Sequence, residues 1–278
     1  MELGWLGLLI IPVLYGMLRF VAQSQAAEEG SPRRKLFGIL EATAVTFFIY
    51  FFSQLIGGLT IYIFLGLIGW DEARITSWLT NNTLGQFLVS AAIQLGMLGL
   101  LALFMKRRRM SFASIGWKGR FAWREIGLVI VAYLAYLALF IASTVAAKAL
   151  FPSLDLEQKQ EIGFDNVSQL QLPLVFVSLV ILPPLVEEVI MRGYLYTSLK
   201  SQVSQRWAAI ITSILFAIAH LQAGSSAPLL WIAAIDTFIL SLLLIHLREK
   251  TGRLWAPIML HALKNGIAFA TLFIFKLA

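Results

Sequence analysis

The chain has no cysteine, which excludes disulfides, thiolate metal ligands and a cysteine nucleophile. Charge is scarce too. Only 13% of the residues are Asp, Glu, Lys or Arg, against roughly 25% in a soluble domain, while 59% are hydrophobic. No stretch is polar enough to stand as a domain of its own, so the 278 residues are read as one domain, 1–278. Histidine occurs three times. The start, Met1-Glu2-Leu3-Gly4-Trp5, lacks the positive n-region of a secretory signal, so a retained first helix is expected.

What fills the chain is long apolar runs, at about 3–22, 36–69, 84–105, 126–151, 173–199, 207–221, 227–247 and 254–276. Each is close to the roughly 20 residues that a helix needs to cross a bilayer. The expected fold is therefore all-α, a polytopic integral membrane helical bundle of about eight transmembrane helices. The second run exceeds the bilayer thickness and must tilt, protrude or break, with Gly57-Gly58 as a candidate break.

The net charge of +7 does not point to nucleic acid, because the basic residues cluster between the apolar runs as membrane anchors do. With alternate loops placed in the cytoplasm, 15 basic residues fall inside and only Arg74, Lys159 and Lys276 outside, which fixes the orientation. Both termini then face out, and 152–172, with Asp155, Glu157, Glu161 and Asp165, is a solvated acidic loop outside. The stretch from Lys106 to Arg124, with Phe112, Trp117, Phe121 and Trp123, suits the headgroup layer, so membrane lipid is an expected partner.

Ionisable groups inside hydrocarbon cost at least about 2.5 kcal/mol each, so every one needs a partner or a purpose. The fifth run holds Pro183-Pro184, which lack backbone donors and are expected to open the helix, followed by Glu187, Glu188 and Arg192. Glu188 and Arg192, four apart, share a face and pair; Glu187 points about 100° away and is left inert or available as a general base. His220, His261 and Asn265 lie on two further runs, at depths of about 20, 10 and 16 Å from the inner boundary, against about 18 Å for Glu187. One shared cavity is compatible with these depths. Asp236 and Lys264, at similar depths on adjacent helices, are expected to neutralise each other. His246, next to Arg248 at a span end, needs no function.

The order Glu187-Glu188-x-x-x-Arg192, Phe216-x-x-x-His220, His261-x-x-x-Asn265 resembles the three motifs of the CAAX-processing and bacteriocin-processing (CPBP, or Abi) family, which includes the Ras-converting CAAX endopeptidases. The likeness covers about 173–270. It implies an intramembrane endopeptidase, open to the cytoplasm, that cleaves a membrane-associated or CAAX-like, prenylated or unprenylated, protein or peptide. By position, Glu187 would be the general base and His220 would hold the attacking water. His261 and Asn265 would donate to the oxyanion, and Glu188 and Arg192 would organise the site. Phe216 is expected to pack. The resemblance also raises a bound Zn²⁺, for which Glu187, His220 and His261 are the candidate ligands. The chain lacks His-Glu-x-x-His, and metal-free water activation by Glu187 is the favoured reading.

Two other classes fit parts of the pattern. A transporter uses buried polar residues as a pathway but predicts related halves, which are not evident. A non-catalytic immunity or partner protein on the same fold is the second. A plasma (inner) membrane location, with the site reached from the cytoplasmic side, is expected.

Overall fold

The computed structural model describes residues 38–156, 162–165, 167–221 and 230–277. The first apolar run, at 3–22, lies outside them. The elements are all helices: α1 (Ile39–Leu67), α2 (Glu72–Asn81), α3 (Thr83–Arg107), α4 (Arg124–Leu150), α5 (Gln169–Lys200), α6 (Gln205–Ala219), α7 (Trp231–Thr251) and α8 (Trp255–Ile274). Six of these, all but α2 and α6, are long and apolar enough to cross a membrane. Their bounds follow the hydropathy runs because in hydrocarbon every backbone N–H and C=O must be satisfied within the segment, so apolar length becomes helix length.

Local chemistry starts and stops the helices. Asp71 accepts the Arg74 N–H at 2.8 Å to open α2, and Asn82 accepts those of Leu84 and Gly85 to open α3. Gly252 ends α7 with φ +67°, a conformation that favours glycine. α2 is a short helix that the hydropathy runs do not show.

Bundle geometry puts α5 at the centre. In its most apolar stretch 56% of the residues are buried inside the protein, against 11–33% in the other five spans. Val186, Val189, Ile190, Met191, Tyr194 and Leu195 form the main core with Ile49 of α1, Met97 and Leu101 of α3, and Phe216 of α6. The outer helices instead expose Phe48, Phe51, Phe64, Leu103, Val131 and Leu134, a surface stable only against lipid. A central helix surrounded by others is where charged side chains are kept from the hydrocarbon.

Three expectations are corrected. α1 runs unbroken through Gly57-Gly58, and Gly57 serves close packing: a Cβ there would lie 2.7 Å from Ile93 of α3. α5 is not opened by Pro183-Pro184 but widened, with five-residue hydrogen-bond spacing over Val177–Ile181 and again over Val189–Leu195. The outer acidic loop is not wholly solvated, since Phe164 is buried with Val175, Val180 and Phe269, and its N–H donates to Gln86 Oε1 at 3.1 Å. Glu157 and Glu161 lie outside the described residues.

The basic Lys106–Arg124 stretch is pinned to α7 and α8. The Leu254 N–H donates to Gly116 O, Trp255 Nε1 donates to Gly119 O, and Arg253 pairs with Glu125. Trp117 packs on Trp255, while Trp123 stays 79% exposed, free to sit among headgroups.

Candidate active site

The widened turn of α5 explains the placement of everything else. The Leu179 carbonyl would bond the N–H of residue 183 in an α-helix or 184 in a π-helix, but both are prolines. No helix donor is left for it. Asn265 of α8 supplies one, donating from Nδ2 to Leu179 O at 2.9 Å. The bond ties α8 to α5 and sets the height at which His261, one turn earlier, meets the glutamates. Asn265 therefore donates to backbone in this structure. Asn265→Ala leaves the carbonyl unpaired in an apolar setting and is expected to lower stability by about 1–3 kcal/mol. Thermal unfolding in detergent measures this.

Glu188 and Arg192 are both fully buried, with Nη1 of the arginine 2.8 Å from Oε1 of the glutamate. His261 donates from Nδ1 to the same Oε1 at 2.9 Å. The carboxylate thus serves two cations or donors on two helices, while Arg192 lies flat over the Phe216 ring, 4.3 Å from its centroid. This is the i,i+4 pair expected from the sequence, joined by a histidine that spacing within one helix does not reveal.

Glu187 turns away from that pair, as its helical phase requires, and is 9% exposed. Its Oε2 lies 3.9 Å from Nε2 of His220. His220 caps the C-terminal end of α6 and bonds through Nδ1 to the carbonyl of Phe216 at 2.9 Å. A carbonyl only accepts, so Nδ1 carries a proton and Nε2 is the ring nitrogen turned toward Glu187.

Phe216 is more than packing filler. Fully buried, it makes edge contacts with His220 at 4.5 Å and His261 at 6.0 Å between centroids, besides carrying Arg192 on its face. These three groups, His220, His261 and Arg192, are arranged around one ring.

Tyr50 of α1 is a site neighbour that sequence reading passed over. Its buried hydroxyl makes no hydrogen bond among the described residues and lies within electrostatic reach of Glu187, Glu188 and Arg192. Oε2 of Glu187, Oε2 of Glu188, and Nε and Nη2 of Arg192 are likewise without partners among the described residues. Buried tyrosines ordinarily find a partner, and a mid-span tyrosine was the available signal. Lys264 pairs with Asp236 at 2.7 Å as expected, and Tyr136 also donates to that carboxylate. His246 is exposed and takes no part.

Among the described residues no group of three or more His, Asp or Glu is gathered so as to hold a metal ion. Glu187 Oε2 and His220 Nε2 lie 3.9 Å apart, and His261, bonded to Glu188 through Nδ1, is not gathered with them as a third ligand.

Comparison with curated proteins and with solved structures returned no match. Residues 169–267 match the family model described as type II CAAX prenyl endopeptidase Rce1-like. The match begins at the first residue of α5, ends within α8, and includes Glu187, Glu188, Arg192, His220, His261 and Asn265. Helices α5 to α8 are thus similar to an Rce1-like domain of the CAAX-endopeptidase type.

Proposed function

We propose that this domain hydrolyses a peptide bond in a membrane-associated or CAAX-like protein tail, using water activated by Glu187 and His220. The single observation carrying this reading is the 3.9 Å separation of Glu187 Oε2 and His220 Nε2. That gap is too long for a hydrogen bond, but a water bonded at about 2.8 Å to each group spans it.

Such a water donates one hydrogen to Glu187 and the other to His220 Nε2, leaving a lone pair for the scissile carbonyl. As the oxygen–carbon bond forms, Glu187 takes the proton, and it returns the proton to the amine when the C–N bond breaks. His261, oriented through Nδ1 by Glu188, donates from Nε2 to the oxyanion, a contribution of about 10²- to 10³-fold. Glu188, Arg192 and Asn265 are positioning residues: the first two orient His261, and the third holds α8 against the widened turn of α5. The site opens to the cytoplasm of a plasma (inner) membrane, since the basic loops gather at the end of the bundle reached from the C-terminal half of α5.

The test is protein reconstituted in liposomes with a panel of fluorogenic peptides, prenylated and unprenylated. Wild type is expected to cleave some of them, and Glu187→Ala and His220→Ala none, at matched folding. Equal cleavage by all three would remove the peptidase reading and leave a non-catalytic partner protein.

A further inference from the structure

Away from the candidate active site, and sharing no residue with it, a polar cavity of about 270 Å³ opens at the end of the bundle where the basic loops gather. Ser114, Lys118, Tyr196, Thr197, Lys200 and Arg248 contribute to its wall. It lies where α3 has ended and α4 not yet begun, at the last residue of α5 and the last turn of α7. Four chain segments that leave the bilayer together place it at the membrane–water boundary.

Its charge is lopsided. Lys118, Lys200 and Arg248 face one carboxylate, Glu249, which is already paired with Lys200. Lys118 has no acidic partner among the described residues.

The arginine is built in rather than draped over the surface. Its Nη2 donates to Ile115 O at 3.2 Å, and its Nε is buried without a partner among the described residues. Gly116, at φ +96°, passes so close that a Cβ would overlap the guanidinium. Beside it the Tyr196 hydroxyl, on a residue 1% exposed, lies within reach of the Glu249 carboxylate.

A fixed guanidinium, two ammonium groups and the Thr197 hydroxyl are donors of the kind that a phosphate monoanion or diester takes up, while the Ser114 hydroxyl already donates to Ser111 O at 2.6 Å. The volume falls below the roughly 300 Å³ at which cavities begin to enclose whole small molecules, so it suits a headgroup better than an extended peptide. We infer that this cavity binds the phosphate of an anionic lipid headgroup, distinct from the bulk lipid around the bundle. The inference does not rest on the peptidase reading.

The full chain in neutral detergent, titrated with phosphatidylglycerol or phosphatidylcholine and followed by native mass spectrometry, tests it. Phosphatidylglycerol is expected to be retained at least about tenfold better, with Lys118→Gln lowering that retention about fivefold, the weight of one basic side chain at a membrane surface. Arg248→Gln lowers it further if it folds. Lys106→Gln, at the same end of the bundle but outside the cavity, leaves it unchanged. Equal retention of the two lipids, or equal loss in Lys118→Gln and Lys106→Gln, overturns the proposal. A cavity that takes inorganic phosphate while ignoring phosphatidylglycerol overturns the lipid source.

Discussion

Glu187→Gln is expected to abolish measurable peptide cleavage, a loss of about 10²- to 10⁴-fold, while leaving thermal stability within about 1 kcal/mol of wild type. The two halves of this expectation come from the same geometry. Glu187 has no basic neighbour on its own helix face and no close hydrogen bond to His220, so a neutral amide of equal shape disturbs little. Yet an amide oxygen does not take up the proton that the attacking water must lose. The amide can still bond that water and the substrate, so the variant should hold uncleaved peptide long enough to be isolated with it. Steady-state cleavage in liposomes and recovery of bound peptides measure the two effects. Full activity in Glu187→Gln would exclude the carboxylate as base. Loss of both activity and fold would make it a structural group.

Much of this architecture was readable in advance, for reasons that can be named. Span limits follow from apolar length, so α3, expected at about 84–105, is found at Thr83–Arg107. The Glu188–Arg192 pair follows from helical phase within one helix, and the Asp236–Lys264 pair from depth on adjacent antiparallel helices. What depth and phase do not give is the rotation of one helix against another. Hence His261 was expected near the site but not on Glu188, and Asn265 was aimed at an oxyanion rather than at Leu179 O. Tyr50 went unnoticed for the same reason. The widening of α5 was misjudged as an opening because proline's missing N–H is visible in sequence, whereas the partner that satisfies the orphaned carbonyl comes from residue 265. Tilt, protrusion and a break at Gly57-Gly58 stayed open for α1 because the packing partner of Gly57, Ile93, lies on a different helix.

Arg192→Ala is expected to be the most damaging single change to stability, by about 3–5 kcal/mol, enough to prevent accumulation of a folded protein in the membrane. The cause is less the loss of a favourable pair than what remains. Glu188 would keep its charge at a position with no exposure, retaining only the bond from His261. The face of Phe216, now covered by the guanidinium, would border a void. If that reasoning is right, removing the charge on both sides should restore most of the stability, because a buried ion pair replaced by groups of similar volume is often neutral. Glu188→Gln combined with Arg192→Met is the matching double variant. It should unfold in detergent near the wild-type temperature and still cleave poorly, since His261 would lose the carboxylate that holds its Nδ1 and orients the ring. The two readouts therefore separate in one protein: the lock is replaceable, whereas the alignment of His261 is not. A double variant as unstable as Arg192→Ala would show that the cost lies in packing around Phe216. A double variant with wild-type cleavage would show that Glu188 does nothing for His261, and the oxyanion role would have to pass to another donor.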